Sequence, residues 1–467
     1  MAKGKILPLL LKLAVPSTVA QIVNALYSMV DRIYIGHMEG VGTIALTGLG
    51  LTLPIILIIT AFSYLIGRGG GPLLSIKLGE KDYEGAAVLQ GNSLSLLLAL
   101  GVFLTVIFYG FCDPILLLFG TSEAALPYAS SYLQIYVLGT VPVMISMGMN
   151  SFLNAQGFTT LGTITVIIGA VLNLILDPVF IYIMDMGIAG AAVATVISQS
   201  VSALWVLFLL LFSKKMIIRT RLKDMRIKWE NARRICALGV SSFVFLANDS
   251  LVQILINLLL RHWSPDIATG DQYIGCMTIV YSMYQIFFMP LQGVTQGAQP
   301  IVGYCFGAGD YSRMRKTINY GRICSLTCAV VMWAVFMVFP SQVARLFITD
   351  EALLSTCASS IRIAFSLNFV LGMQMMNQHM FIAMGNAKLS LIFGLMRKIF
   401  VLLPLVLIFP FFMGAIGVFL AEPVSNIITV VVTYICFSRY LNRLEGADLD
   451  PRLKEPCKEK PAKKYQG

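Results

Sequence analysis

The feature that most constrains this sequence is a series of long apolar stretches separated by short polar segments. A membrane-spanning helix needs about 20 consecutive apolar residues, and twelve segments of the chain meet that need. The predicted spans are residues 13–35, 43–67, 88–111, 129–154, 160–183, 188–213, 235–261, 272–300, 317–340, 356–384, 388–410 and 414–440. Only 12% of the residues are charged, against about 25% in soluble domains. The sequence therefore predicts an all-α polytopic membrane protein.

The loops between these spans alternate in charge. Most lysines and arginines lie in one set of loops, which includes the linker 214–234, and acidic residues predominate in the other set. Because positive residues in short loops stay on the cytoplasmic side, we expect both termini in the cytoplasm and the chain in a bacterial plasma (inner) membrane. The confinement of positive charge to these loops argues against a nucleic-acid partner.

The two halves of the sequence repeat each other. GRGGGPLLSIKLGEKDY (67–83) aligns with TQGAQPIVGYCFGAGDY (295–311) at a shift of 228, and AAVATVISQ (191–199) aligns with VFLAEPVSN (418–426) at a shift of 227. Six spans in each half give both halves the same orientation, as in parallel transporter repeats. We predict two six-helix lobes around a central cavity, the architecture of an alternating-access transporter. The predicted division is an N-terminal lobe (1–213), a cytoplasmic amphipathic linker (214–234), a C-terminal lobe (235–441) and a cytoplasmic disordered tail (442–467).

Two acids inside the spans point to ion coupling. Asp177 shares a helix face with Asn173, and Thr195 and Asp31 reach a similar depth on neighbouring spans, counted at about 1.5 Å per residue. A carboxylate at the centre of a membrane helix costs roughly 2.5–3.5 kcal/mol, more than an interhelical hydrogen bond of about 0.6 kcal/mol returns. We interpret the four residues as a site for H⁺ or Na⁺, and the sequence leaves the ion open.

Other polar residues in the spans are candidates for the cavity wall. Pro16 predicts a bend in the first helix. The candidate substrate-cavity residues are Gln21, Asn24, Tyr27, Gln199, Asp249, Gln253, Tyr284, Gln285, Gln292, Met376 and Glu422. For any one of them, a packing role is the alternative. Asp249 or Glu422 could form a second cation site, and Arg397 and Lys398 are expected to pair with an acid.

The chain lacks the usual signatures of metal or enzyme sites. Its nine cysteines lie mostly in apolar runs and contain no CxxC pair, and its three histidines are far apart. Cys324 and Cys328 share a helix face and are interpreted as packing residues. No DDxxD motif or nucleophile with a base is present. We therefore expect no enzyme activity, no metal site and no cofactor other than the coupling ion.

Several motifs together resemble the multidrug and toxic compound extrusion (MATE) family of secondary transporters. They are LYSMVDRIYIG (26–36), the GGGP and QGAQP repeats, NAQG (154–157), NLILDPVF (173–180) and GIAGAAVATVISQ (187–199). The resemblance implies export of lipophilic, mostly cationic compounds in exchange for Na⁺ or H⁺.

Within that family, the pattern is most similar to the DinF-like branch. Asp31, Asn173, Asp177 and Thr195 match the branch's N-lobe residues, and Pro16 matches its first-helix proline. The acidic pattern of the NorM-like C-terminal lobe is not clearly matched, which leaves a second site open.

The expected partners are small-molecule organic cations and membrane lipids, with the chain acting as a monomer. The alternative is a lipid or lipid-linked oligosaccharide flippase of the same superfamily. Its anionic cargo would need cationic residues along the cavity, for which the interior candidates are Arg397, Lys398, Arg32 and Arg362.

Overall fold

The fold is described from a computed structural model that covers residues 5–36, 38, 42–118, 126–265, 267–345 and 351–449. Some side chains inside these ranges, including those of residues 27–29, 247–251 and 253–254, lie outside the description. The N-terminal half contains α1 (Ile6–Gly36), α2 (Gly42–Gly79), α3 (Tyr83–Gly110), α4 (Cys112–Leu118), α5 (Leu126–Leu138), α6 (Thr140–Ala155), α7 (Thr159–Pro178), a π-helical turn (Val179–Ile183) and α8 (Gly187–Phe212).

After the connecting segment, which includes a 3₁₀ turn (Leu222–Met225), the C-terminal half repeats this order. Its elements are α9 (Trp229–His262), α10 (Ile267–Gly307), α11 (Tyr311–Val338), α12 (Pro340–Ala344), α13 (Glu351–Phe365), a 3₁₀ turn (Asn368–Val370), α14 (Leu371–Ala383), α15 (Ala387–Leu395), a π-helical turn (Met396–Leu402), α16 (Leu403–Ile408), α17 (Pro410–Met413) and α18 (Ala415–Leu449). Every regular element in the described ranges is helical, which confirms the predicted all-α class.

The described helices match the predicted spans in order. Eight continuous helical segments are long and apolar enough to cross a membrane. Two bent pairs, α5 with α6 (57°) and α13 with α14 (46°), pass the same test when each pair is taken together. Helices α9 and α10, with 34 and 41 residues, occupy the positions of the predicted seventh and eighth spans.

Several helices continue past their predicted ends. Helix α2 ends at Gly79 and α10 at Gly307, whereas the predicted spans end at residues 67 and 300. Helix α18 continues to Leu449, so the first eight residues of the predicted disordered tail are helical, and residues 450–467 lie outside the described residues. The physical reason is that hydrocarbon thickness limits the apolar run but not the helix, which continues where its backbone hydrogen bonds are kept and neighbouring helices pack against it.

The segment between the halves is held against α3. Asn92 of α3 donates hydrogen bonds to the carbonyl oxygens of Asp224 (3.0 Å) and Arg226 (2.9 Å), and its own side-chain oxygen accepts from the Lys228 backbone (2.7 Å). Leu222 and Trp229 remain largely exposed. The segment is thus fixed to the N-terminal half by its backbone and presents apolar side chains at the surface.

The two halves pack crosswise. Helix α1 packs against α10, α2 packs against α9, and α2 also contacts α10. One hydrophobic core lies in the N-terminal half and a second in the C-terminal half, while a third joins Leu10 and Leu13 of α1 to α10, α11, α14 and α18. Cys276 and Cys357 form a disulfide within the second core. The sequence did not predict this disulfide, because no local motif reveals a pair of cysteines 81 residues apart.

Two glycines allow α2 and α10 to cross in backbone contact. A Cβ atom at Gly79 would overlap the Tyr304 carbonyl oxygen, and one at Gly307 would overlap the Ile76 carbonyl oxygen. The two glycines are 228 positions apart, so they are equivalent in the repeat. The crossing joins the halves at the side of the bundle where α1 begins and α18 ends.

We expect Gly79→Ala and Gly307→Ala each to lower the stability of the protein by about 1–3 kcal/mol, because the added methyl group must displace a neighbouring backbone. Gly50→Ala is the matched control in α2, since no atom lies within 4 Å of its added Cβ. Replacing a helical glycine by alanine there should be neutral or stabilising by up to about 1 kcal/mol. Thermal unfolding in a mild detergent measures all three variants, and equal effects would contradict the crossing.

Candidate functional site

A buried polar cluster connects α7 and α8. The side-chain nitrogen of Asn173 donates to the Asp177 carboxylate (Oδ1, 3.0 Å) and to the Thr195 hydroxyl (Oγ1, 3.3 Å). All three side chains are buried. The spacing of four along α7 places Asn173 and Asp177 one turn apart, as the sequence predicts, and α8 brings Thr195 to the same level.

Asp31 joins this cluster from α1. Its side chain is buried and lies close enough to Asp177 for the two carboxyl groups to interact electrostatically. It also interacts with Tyr136 of α5. The four residues predicted as a coupling site therefore converge in the structure, with a tyrosine hydroxyl nearby that sequence reasoning did not single out.

The Asp177 carboxylate has an oxygen to which no described residue donates a hydrogen bond. Asp177 Oδ2 is fully enclosed and accepts no hydrogen bond from the described residues. A buried charge without compensation is far more costly than a paired one. A proton on this oxygen, or a cation beside it, would remove that cost.

A wide helical turn closes the cluster at the end away from the chain termini. After Pro178, which has no N–H to donate, residues Val179–Ile183 form the π-helical turn. The Tyr182 hydroxyl of this turn donates to the carbonyl oxygen of Tyr34 in α1 (2.6 Å). π-turns inside α-helices are frequent at functional sites, and a second one lies in the equivalent span of the other half.

Pro16 lies inside the continuous helix α1. Its missing N–H leaves the carbonyl oxygen four residues earlier without its helical partner. The Pro16 carbonyl oxygen itself accepts a hydrogen bond from Thr163 of α7 (2.7 Å). The contact joins the proline of α1 to the helix that carries Asn173 and Asp177, while a bend at Pro16 stays a prediction.

A cavity of about 170 Å³ lies between the two halves. Its walls come from both halves of the chain, and most of its described lining side chains can form hydrogen bonds. The amide side chains among them are Gln21, Asn24, Asn150, Asn154, Gln199, Gln292, Gln296 and Gln299. Gln21 of α1 donates to Gln296 of α10 (3.3 Å), which links the halves across the cavity.

Helices α2 and α10 line the cavity with residues that are equivalent in the repeat. Every α10 residue in the described lining is 228 positions after an α2 residue that also lines it. The pairs are Tyr64 and Gln292, Gly67 and Thr295, Arg68 and Gln296, Gly71 and Gln299, and Pro72 and Pro300. Helices α2 and α10 therefore present equivalent faces to the cavity, and most of the remaining described lining comes from the N-terminal half.

The cavity and the buried cluster are neighbours along two shared helices. Ala170 of α7 and Gln199 of α8 line the cavity, and they lie three and four residues from Asn173 and Thr195. That separation is about one helical turn, or 5.4 Å along the axis. A change at the carboxylates can therefore reach the cavity wall through the same helices.

The structure separates the predicted cavity residues into groups. Gln21, Asn24, Gln199 and Gln292 line the cavity. Met376 is buried in the third core against Gly321, Gln285 is exposed, and neither is in the described lining. The side chains of Tyr27, Asp249 and Gln253 lie outside the described residues.

Tyr284 and Glu422 belong to a separate buried cluster in the C-terminal half. The Lys398 ammonium forms an ion pair with Glu422 (3.3 Å), and both side chains are buried. Asn368 donates to the Tyr284 hydroxyl (2.8 Å) and accepts from Asn426 (2.9 Å). At a shift of 227, Glu422 is equivalent to Thr195. In the C-terminal half, the carboxylate is therefore paired with a lysine of the same chain, Lys398.

We expect Glu422→Gln and Lys398→Met each to lower stability by about 3–5 kcal/mol, because each change leaves one charge buried without its partner. The double variant should recover most of the loss. Glu80→Gln, which breaks the exposed pair with Lys77, is the control and should change stability by about 0–1 kcal/mol. Thermal unfolding in detergent measures the stability of each variant. Unchanged stability of Glu422→Gln would contradict a stabilising role of the ion pair.

Sequence reasoning did not single out Arg68 and His379, which both line the cavity. The predicted second span ends at residue 67, so Arg68 fell outside it, whereas α2 continues to Gly79. The available signal was the GRGGG stretch, in which a single arginine is surrounded by glycines.

Similarity to known proteins extends over nearly the whole chain. Residues 16–179 and 246–409 match the family model described as MatE. The multidrug export protein MepA of Staphylococcus haemolyticus (strain JCSC1435) is 24% identical over 437 residues, covering 92% of this chain and 94% of that protein. A solved structure of an outward-facing multidrug resistance MATE family transporter superimposes with a TM-score of 0.88 at 22% identity, covering 95% of this chain and 97% of the other.

A second solved structure has the same TM-score of 0.88, 22% identity and coverage of 95% and 97%. It is a MOP superfamily transporter from Pyrococcus furiosus, described by a reverse polarity of its binding pocket that suggests a different function. These structures confirm the two-lobe fold.

Proposed function

Because this chain belongs to the MatE family, whose members are transporters and not enzymes, we propose that it is a secondary antiporter that exports small organic molecules in exchange for H⁺ or Na⁺. Multidrug efflux is the activity for which the curated relatives are named. The coupling ion is taken up at Asp31, Asn173, Asp177 and Thr195. The observation that carries the proposal is the buried Asp177 Oδ2 atom, which accepts no hydrogen bond within the described chain.

The donor arrangement at Asp177 favours a proton as the coupling ion. Asn173 directs its NH₂ group, not its carbonyl oxygen, toward both Asp177 and Thr195. Na⁺ requires converging oxygen ligands, whereas a proton needs only one carboxylate oxygen. Protonation of Asp177 would neutralise the buried acid next to the charge of Asp31.

Coupling to the cavity would follow α7 and α1. Ion binding at Asp177 acts at one end of α7, and Thr163 of the same helix donates to the Pro16 carbonyl oxygen. A shift of α7 on ion uptake would therefore change α1, which contributes Gln21 and Asn24 to the cavity wall. Exchange requires that ion and cargo weaken each other's binding, and linkage makes that effect reciprocal.

The cellular setting follows from the same proposal. We place the protein in a bacterial plasma (inner) membrane, with both termini in the cytoplasm, acting as a monomer. The match of Asp31, Asn173, Asp177, Thr195 and Pro16 supports an assignment to the DinF-like branch. The charge of the cargo is a separate question, because the described cavity lining carries a guanidinium group and no carboxylate.

Flipping of an anionic lipid or lipid-linked oligosaccharide is the second candidate. It requires a cationic cavity wall. Arg397 and Lys398 are buried in the C-terminal cluster and absent from the described lining, but Arg68 is present in it. Recovery of a water-soluble solute unchanged on the far side of the membrane would favour export over flipping.

We expect Asp177→Asn to reduce gradient-driven efflux from proteoliposomes by about 5- to 150-fold, the usual range of coupling between two sites, because the amide cannot exchange the coupling ion. A fluorescent organic cation and a fluorescent organic anion are both tested, with H⁺ and Na⁺ gradients imposed separately. Asp113→Asn is the control, because Asp113 is exposed and bonded only to Ser130. Ordinary coupled efflux by Asp177→Asn would refute the proposed site.

A further inference from the structure

The glycine-rich turn of α2 offers the cavity one side chain, that of Arg68. A Cβ atom added to any of the four glycines around it would meet a neighbouring helix within about 3.2 Å. The contacts are Gly67 with Gly148, Gly69 with Ile235, Gly70 with Phe152, and Gly71 with Ser151. Close packing of α6 and α9 thus fixes this turn of α2, and Arg68 projects into the cavity.

The positive charge of Arg68 is not neutralised by an ion pair in the described part of the chain. Its guanidinium lies over the Tyr64 ring, 3.9 Å from the ring centre, and no described carboxylate is within salt-bridge distance. Ionisable residues inside membrane spans either pair with each other or face a water-filled pathway, where they mark the route of a substrate. Lys398 is paired with Glu422, whereas Arg68 faces the cavity.

His379 faces the same level of the cavity from the other half. A Cβ atom added at Gly303 of α10 would lie 3.5 Å from the carbonyl oxygen of Pro72 in α2 and 3.1 Å from that of Ala383 in α14. Arg68 lies four residues before Pro72, and His379 lies four residues before Ala383. Each is therefore about one helical turn further into the bundle. Because His379 Nδ1 donates to the Met375 carbonyl oxygen (2.8 Å), Nε2 of the neutral ring is a hydrogen-bond acceptor.

The remaining lining is suited to hydrogen bonding rather than to cation binding. Lipophilic cations are recognised by aromatic faces and by acids. Tyr64 is the one Phe, Tyr or Trp in the described lining, and its face already carries the Arg68 guanidinium. No Asp or Glu occurs among the described lining residues, while amides and hydroxyls are numerous.

We propose that this cavity binds small organic anions through a carboxylate held by Arg68, while the surrounding amides hydrogen-bond to any further polar groups of the ligand. The planar guanidinium matches a carboxylate through two parallel N–H···O bonds. The inference rests on the proposed function only in taking this cavity as the transport site. It replaces the lipophilic cation implied by the family resemblance with an anion as the preferred cargo.

The test uses three fluorescent probes of nearly equal size that differ in charge: 2-naphthoate, 2-naphthamide and 2-naphthylmethylammonium. Each is titrated at neutral pH against the full-length protein in a neutral detergent, and the naphthyl fluorescence reports binding. We expect 2-naphthoate to bind about 10- to 100-fold more tightly than the ammonium probe, the range for a hydrogen bond to a charged group.

Variants at Arg68 test whether this residue causes the preference for the anionic probe. Arg68→Gln should remove the difference between the anionic and cationic probes, and Arg68→Lys should keep part of it. His379→Gln, a second variant on a different helix, should weaken naphthoate binding less than Arg68→Gln does. Arg322→Gln is the control, because Arg322 is bonded to Asn377 and is not in the described lining.

Equal binding of the three probes, binding of none, tighter binding of the ammonium probe, or a preference that survives in Arg68→Gln would each overturn the proposal. Tighter Arg68-dependent binding of a short-chain phosphatidylglycerol than of 2-naphthoate would also overturn it, by assigning the anion to a lipid headgroup. These outcomes are separate from ion coupling, because binding in detergent is measured without an ion gradient, whereas the coupling site is tested by gradient-driven efflux.

Discussion

A charge inside a membrane-spanning bundle must be paired, hydrated or neutralised, and the polar interior of this protein is organised by that constraint. Translocon scales place the cost of an uncompensated charge at roughly 2.5–3.5 kcal/mol. Three solutions occur here. Lys398 and Glu422 compensate each other in the C-terminal half, Arg68 faces the central cavity, and Asp177 retains a buried oxygen without a partner. A ligand bound at Arg68 or an ion bound at Asp177 would supply the compensating partner.

The repeat explains why these solutions differ between the halves. Backbone crossings at Gly79 and Gly307 obey the repeat, since both glycines permit the same close approach of α2 and α10. The ionisable residues, by contrast, differ between the two halves. Glu422 replaces Thr195, and Gln296 replaces Arg68, at equivalent positions. A duplicated scaffold therefore carries one candidate ion site and one internal ion pair, and the cavity between them receives a positive charge from one side only.

Much of the candidate site could be predicted from the sequence, because helix geometry relates spacing to depth. Counting residues from the span ends was enough to bring Asn173, Asp177 and Thr195 together, and the expected pairing of Lys398 with an acid agrees with the ion pair to Glu422. The rotation of a helix about its own axis is a different matter, because it depends on neighbours distant in sequence. Gln285 and Met376 were assigned to the cavity, but the structure places them elsewhere.

Arg68 shows a second limit of sequence reasoning. Hydropathy locates the end of an apolar run, and the run in α2 ends where the glycines begin. The helix itself continues, since the glycines pack against α6 and α9 and the backbone hydrogen bonds are kept within the helix. Arg68, which was predicted to lie outside the span, therefore forms part of the cavity wall. Only the lateral packing, which no residue pattern specifies by itself, reveals it.

An anionic cargo changes how ion exchange must operate. With a cationic cargo, neutralising Asp177 and Asp31 would weaken attraction to the cargo, so direct electrostatics alone would oppose simultaneous binding. With an anion at Arg68, neutralising those carboxylates removes repulsion, and direct electrostatics would favour simultaneous binding. Exchange then requires a coupling that passes through the structure and outweighs the charge effect. The hydrogen bond from Thr163 of α7 to the Pro16 carbonyl oxygen of α1 joins the helix of the ion site to a helix of the cavity wall, which makes it the contact through which such a coupling can act.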